Sequence, residues 1–254
     1  MISVVIVGTG NVAQNLFQAF YKVPDIEIKQ VLGRNEIHLA FAKEKVSINT
    51  DFSRIPTADI YILAVSDDSI GEVAEKFKDL DGLVVHTSGA TSIEVLHKCN
   101  RAGIFYPLQT FTKGKIISFE TIPICIETKN KKDLELLQNL GKTLSDTVIE
   151  INSEQRKILH VSAVFVNNFT NYLYTIGADI CKESNIDFKL LQPLIKETAA
   201  KLDDLTPYES QTGPAKRGDQ KTVHKHLQLI KSTHQRELYT LLSNAIKEKH
   251  GKEL

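Results

Sequence analysis

The chain has 254 residues, 42% hydrophobic and 24% charged, with 31 basic and 31 acidic side chains. This is an ordinary globular composition with no net field, which argues against nucleic acid or an anionic membrane as a partner. No apolar stretch approaches the ~20 residues of a membrane span, and the opening run Ile2–Val7 is too short for a signal-peptide core and has no basic leader. Cys99, Cys125 and Cys181 are odd in number and far apart, which fits reduced thiols in a cytoplasm and neither a disulfide framework nor a zinc site. The last three residues, Lys252, Glu253 and Leu254, lack the Asp of an ER-retention signal.

Along the chain, apolar runs rich in Val and Ile fall at 2–8, 26–33, 59–65, 82–87, 103–108, 121–127 and 147–151. Several are continuous, the pattern of strands covered on both faces. Between them the sequence predicts helices over 11–23, 35–45, 69–80, 92–101 and 131–144. Such alternation implies right-handed crossovers and an α/β fold on a doubly wound, mostly parallel sheet. The last two strands flank a single helix and extend the sheet edge.

Near Asn152 the pattern changes, and no convincing strand follows. Ser153, with Gln155 and Arg156 behind it, suits a helix start without a strict capping box. Residues 153–184 read as one long helix, with Ile158, Val161, Phe165, Phe169, Leu173, Ile176 and Ile180 at three- and four-residue steps. "SNID" (184–187) ends it and caps a second helix to about residue 202. The non-periodic stretch 206–220 follows, then helices over 219–232 and 234–249. The expected division is therefore an α/β domain over 1–152 and an all-α domain over 153–254.

The sharpest local signal is Gly8-Thr9-Gly10-Asn11-Val12-Ala13, a G-x-G-x-x-A pattern between the first strand and the first helix. In that geometry Gly8 permits a tight turn, Gly10 lets backbone approach a pyrophosphate, and Ala13 keeps helix and strand close. Amides at the helix start then face the phosphates, aided by the helix dipole. The second strand ends in "LGRN", so Arg34 and Asn35 stand where NAD-binding proteins carry an acid for the ribose hydroxyls. A guanidinium there offers paired donors to a 2′-phosphate, which points to NADP. Glu36 opens the following helix.

In a doubly wound sheet the C-terminal strand ends line the ligand crevice. Val65, Ser66 and Asp67 of "AVSDDS" are thereby placed toward the ribose and the nicotinamide half, with Asp68 or Ser69 capping the next helix. "HTSGATS" (86–92) occupies the next strand end, where Ser88 and Gly89 would leave space near a nicotinamide.

Taken in order, "VGTGNVA", "VLGRN", "AVSDDSI", "HTSGATS", "YPLQTF", "HVSAVFVNNF" and "TGPAKRGD" resemble a bacterial family without an established reaction. Its members pair a Rossmann-like NADP-binding domain with a helical domain of unknown function and are grouped with NADP oxidoreductases. The likeness spans nearly the whole chain. More distantly, the layout is similar to pyrroline-5-carboxylate reductases and to 6-phosphogluconate and β-hydroxyacid dehydrogenases. The resemblance implies a Rossmann-type domain followed by an all-α domain, NADP as cofactor, and a homodimer through the helical domain. It also implies that the helical domain helps hold a small substrate between the domains.

Hydride transfer to a carbonyl leaves an alkoxide, so a positioned acid is sought. His160 and Asn168 lie eight residues apart on the long helix and are the catalytic candidates. The β-hydroxyacid dehydrogenases carry a Lys four before that Asn; here the position is Val164. A mid-helix Asn on a core-facing side also needs a hydrogen-bond partner. Gln109 and Thr110 of "YPLQTF" offer polar substrate contacts, and Lys216 and Arg217 of "TGPAKRGD" could hold an anionic substrate, with Asp219 capping the next helix. His86, His224 and His226 lack the spacing of a metal site. The reading is an NADP-dependent oxidoreductase for a small ketone, imine or hydroxy acid. A non-catalytic NADP-binding sensor or scaffold is the alternative, and the Arg at position 34 disfavours a nucleotide-dependent methyltransferase.

Overall fold

A computed structural model describes residues 1–250; the terminal Lys252, Glu253 and Leu254 lie outside the described residues. Eight strands form one sheet: β1 Ile2–Val7, β2 Ile26–Leu32, β3 Ile48–Asn49, β4 Ile60–Leu63, β5 Leu83–His86, β6 Ala102–Pro107, β7 Ile124–Thr128 and β8 Val148–Glu150. Their spatial order is β3-β2-β1-β4-β5-β6-β7-β8. Every neighbouring pair is parallel except β6–β7, which is antiparallel. β4, β5 and β6 are buried along their whole length, which is why they read as continuous apolar runs instead of alternating ones.

Alternate side chains of β1 feed two separate cores. Val4 and Ile6 pack with Leu16, Phe17 and Phe20 of helix α1 (Asn11–Phe20) and with Leu137 and Leu140 of helix α3 (Lys131–Lys142). Val5 and Val7 pack on the other face with Tyr61, Ile70, Ala74, Phe77, Ile93 and Leu96. Between the two helices named, α2 (Ile70–Ala74) is a short helix flanked by single 3-10 turns.

Two of the predicted helices are not α-helices. The segment 35–45 holds only a 3-10 turn at Glu36–Leu39, and 92–101 only one at Ile93–Leu96. The burial pattern explains this: Leu39 and Ala42 in one segment, and Ile93, Leu96 and Cys99 in the other, are the buried apolar positions. In the second segment the steps 93, 96 and 99 stay on one face at three residues per turn, whereas an α-helix would rotate the last of them off the core.

Helix α4 (Ser153–Ala163) passes into a six-residue π-helical segment, Val164–Phe169, and then into α5 (Thr170–Glu183). The long helix expected over 153–184 is thus present with a widened turn inside it. Its start does carry a capping box, set one residue earlier than sought: Asn152 Oδ1 accepts from Gln155 N at 2.8 Å and Gln155 Oε1 accepts from Asn152 N at 3.0 Å. Asn-x-x-Gln serves as well as the Ser- or Thr-led form.

The chain divides into two compact units, 1–167 and 168 onward, so the division falls inside the π segment. The second unit contains α5, α6 (Gln192–Ala200), α7 (Pro207–Ser210), α8 (Gln220–Leu229) and α9 (Thr233–His250). Among the described residues it has no strand. α5 stops where Asn185 takes a left-handed φ of 55°, with Ile186 N donating back to Cys181 O. Among the described residues no helix is long and apolar enough to cross a membrane.

Candidate functional site

The parallel register aligns the C-terminal ends of the central strands. Val7 pairs with Leu63, Leu63 with His86, and His86 with Ile104. Gly8, Ala64, Thr87 and Phe105 follow one residue later, so the loops that leave β1, β4 and β5 emerge at one level. On the other side Val7 pairs with Leu32, which brings Gly33 and Arg34 to the same edge. This is the crevice side of a doubly wound sheet.

Gly8 has φ +132°, and an added Cβ would sit 2.1 Å from the carbonyl oxygen of Ala64. No other residue fits there. Gly10 differs: an added Cβ would meet nothing within 4 Å. It caps α1 in extended backbone (φ −76°, ψ −179°) with no side-chain cap. The first amides of α1, at Asn11, Val12 and Ala13, precede the first intrahelical bond (Gln14 N to Gly10 O, 3.0 Å) and so have no partner within the helix, the arrangement that binds anions at helix N-termini. Gln14 Nε2 donates to Thr9 O at 2.9 Å and braces the turn from inside the helix. The Asn11 side chain faces elsewhere, donating to Phe111 O at 2.8 Å. One turn on, buried Asn15 accepts from Ile117 N and donates to Asn11 O, so both asparagines strap the segment after β6 onto α1.

Gly33 lies against this turn, since a Cβ there would come within 2.6 Å of Thr9 Cγ2. Arg34 is exposed and makes no hydrogen bond or ion pair among the described residues. Asn35 caps the following 3-10 turn through Oδ1, which accepts from Ile37 N at 2.9 Å. Glu36, the nearest carboxylate in sequence, is paired with Lys43 at 2.8 Å. That pairing draws Glu36 below the ordinary carboxylate range, through the Lys43 hydrogen bond first and its charge second. The loop thus presents one unpaired guanidinium beside a neutralised acid. The glycine turn, the uncapped start of α1 and the Arg34 loop are the residues here that could hold a nicotinamide dinucleotide.

After β4, Val65 is half-buried while Ser66 and Asp67 are exposed, Ser66 Oγ meeting Ser69 Oγ at 2.8 Å. After β5, His86 is fully buried, and Ser88 N donates to His86 Nδ1 at 3.2 Å while Nε2 faces Ser92 O at 3.4 Å. Burial first, and the positive charge of Arg156 second, push its pKa down to about 4. It is a neutral ring that organises the loop. Ser88 is buried too, and its hydroxyl is spent inside the loop, accepting from Ala90 N and Thr91 N and donating to Thr91 Oγ1. Its part is to shape the turn.

Gly89 is the point where this loop meets other elements. An added Cβ would fall 2.6 Å from His160 Nδ1 and 2.8 Å from Tyr106 Cζ. Tyr106, near the end of β6, is 8% exposed, and its hydroxyl lies 3.1 Å from His160 Nδ1. Burial raises the phenol to about 12, so it stays protonated. His160 is half-buried. Sequence reasoning chose Gln109 and Thr110 from "YPLQTF", but both are exposed and Gln109 Oε1 turns back to accept from Thr110 N at 2.8 Å. Tyr106 is the residue of that segment placed beside His160. No local pattern pairs them, because they are 54 residues apart.

One turn before His160 on the same helix face, Arg156 is 0% exposed. Its guanidinium bonds Glu127 of β7, Thr91 O and, at 3.2 Å, Ser153 Oγ. Ser153 Oγ also donates to Glu127 Oε2 at 2.8 Å and accepts from Ile93 N at 3.1 Å. This buried ion pair clamps the start of α4 to the 87–92 loop and so sets where His160 stands. In sequence Arg156 shows only as part of a helix start, because its partner Glu127 is 29 residues away.

Asn168 belongs to the second unit. It and Asn167 are exposed, so the expectation that Asn168 is a core-facing amide in need of a partner is corrected. The π segment also alters the rotation per residue, so eight positions from His160 are not two regular turns. In the same unit Lys216 Nζ donates to Gln211 O at 2.7 Å within its own loop, and Arg217 is exposed. Gly213 and Gly218 take φ of +109° and +70°. Asp219 caps α8 as expected, Oδ1 accepting from Thr222 N at 3.0 Å.

The chain was compared with known proteins. Residues 122–246 match a family model described as a domain of unknown function, DUF2520. No protein of curated function matches. Among solved structures, the "putative NADP oxidoreductase" of Bacteroides fragilis is 36% identical, with 97% of this chain and 98% of that one covered and a TM-score of 0.89. A Thermotoga maritima protein is 23% identical over 97% and 98% of the two chains, TM-score 0.76. A pyrroline-5-carboxylate reductase from Coxiella burnetii is 18% identical over 99% of each chain, TM-score 0.59, a likeness of fold. With over a third of its residues shared across nearly its full length, the chain belongs to the family of the Bacteroides fragilis protein, a Rossmann-type domain joined to a helical domain.

Proposed function

We propose that this protein is an NADP-dependent oxidoreductase acting on a small ketone, imine or hydroxy acid. The observation that carries the reading is the open Cβ position of Gly10 at the start of α1, with unpaired Arg34 on the adjoining loop. The amides of Asn11, Val12 and Ala13 would hold the diphosphate, and Arg34 with the Asn35 amide the 2′-phosphate. Val65, Ser66 and Asp67 border the same edge, with Gly89 beyond them. When bound there, the reduced nicotinamide supplies a hydride. His160, oriented by Tyr106, meets the substrate; Asn168, Gln109, Thr110, Lys216 and Arg217 are further candidates for binding it, the last two for an anionic group. The name of the Bacteroides fragilis relative supports the reading.

Calorimetric titration with NADPH and NADH tests it. NADPH is expected to bind at least tenfold more tightly, and Arg34→Ala to remove most of that preference. Heat from neither nucleotide overturns the proposal. NADPH consumption across small ketones, cyclic imines and hydroxy acids then separates an enzyme from a sensor, the reading that Val164, in place of a lysine, favours. Two further features belong to this reading: a homodimer through the helical unit, and a reducing compartment, which suits three unpaired cysteines.

A further inference from the structure

The hydroxyl of Tyr106 has one hydrogen-bond partner among the described residues, His160 Nδ1. Tyr106 is buried, so its phenolic hydrogen needs an acceptor within the protein. If Nδ1 carried the ring proton, the phenol oxygen would accept it and the phenol's own hydrogen would be stranded. One arrangement satisfies both groups: Tyr106 donates to Nδ1, and the ring proton sits on Nε2. Gly89 reinforces it, because a side chain there would collide with both rings. The Nε2 edge of half-buried His160 has no partner among the described residues.

We propose that Tyr106 and Gly89 are positioning residues that hold His160 in its Nε2–H form, so that it offers a donor to an acceptor oxygen of the ligand. A carbonyl oxygen complements that donor, whereas the N–H of a protonated imine would face it donor to donor. Between a ketone and a protonated imine, the geometry therefore selects the carbonyl compound. The choice of ligand rests on the oxidoreductase reading; the tautomer does not.

The test uses the full chain with 15N-labelled histidine, His160→Gln identifying the His160 resonances. Wild-type protein is expected to show Nε2–H, with Nδ1 shifted as a hydrogen-bond acceptor. Tyr106→Phe, which keeps the ring packing, is expected to lose that Nδ1 shift while remaining folded, with a melting temperature lower by only a few degrees. Gly89→Ala, which displaces the ring, is expected to lose it too. An Nδ1–H form in the wild type, or identical His160 signals in Tyr106→Phe, overturns the assignment. In NADPH-consumption assays, small ketones are expected to be turned over and His160→Gln to lower their kcat/KM at least tenfold. Turnover of cyclic imines without ketones overturns the carbonyl choice. No turnover of either class, with NADPH bound, sinks the oxidoreductase reading, and the tautomer is then judged by the resonance data alone.

Discussion

A methyl group on Gly8 would land 2.1 Å from the Ala64 carbonyl oxygen, while one on Gly10 would project into open space. Two glycines separated by a single residue are thus constrained for unrelated reasons, the first by the fold and the second by whatever approaches the helix. Gly8→Ala is expected to cost at least ~2 kcal/mol, from backbone strain at positive φ and displacement of β4. Gly10→Ala is expected to cost at most about 1 kcal/mol, the preference for Gly over Ala at an N-cap, since its φ of −76° suits either residue. The same substitution is expected to weaken NADPH binding tenfold or more. Urea unfolding and calorimetry on the two variants check both halves. Equal stability losses would contradict the division of labour.

The loop after β5 is held by His86 as much as by its own serines. In the unfolded chain this histidine takes a proton near pH 6.5, and in the folded protein only near pH 4. Between those values the unfolded state binds more protons, so stability falls as pH drops through that window and is indifferent to His86 above it. A difference of that size amounts to roughly 3 kcal/mol at full effect. Unfolding free energies measured from pH 7 to pH 4 are expected to show this loss in the wild type and a flattened slope in His86→Gln. The neighbouring clamp obeys a related rule. Arg156 and Glu127 are a buried pair whose value lies in geometry, because they join α4, β7 and the 87–92 loop at one point. The 3-10 turns that replace two crossover helices keep the connections short, and the burial of every third residue is what holds them.

At the scale of the whole molecule the helical run 153–183 carries many exposed apolar side chains. Ile158 is 69% exposed, Val161 54% and Val166 75%, and Phe165, Phe169, Tyr172 and Leu173 are exposed beside them. Exposed apolar side chains clustered on a helix mark an interaction surface, and the homodimer proposed above would cover them with a second copy of the same helix. Sedimentation at micromolar concentration is expected to return a dimer, and Val161→Glu with Val166→Glu a monomer. A monomeric wild type would contradict this.

The alternation of most strands with helices, the addition of the last two strands at the sheet edge, the glycine turn and the basic residue after β2 were legible in the sequence; the short strand β3, the antiparallel pairing of β6 with β7 and the two 3-10 turns were not. Each legible feature depends on neighbours within a few residues: apolar periodicity, a turn that only glycine allows, or a charge at a fixed distance from a motif. Asn152-x-x-Gln155 was equally local, and a wider view of capping residues would have found it. Tertiary structure alone decided which polar groups meet. Tyr106 and His160 are brought together by β6 ending beside α4, Gly89 is required by the contact between those two rings, and Arg156 is buried because β7 places Glu127 against it. The exposure of Asn168 and the widened turn at Val164–Phe169 were likewise beyond a periodic reading, since helical spacing is assumed uniform until packing makes it otherwise.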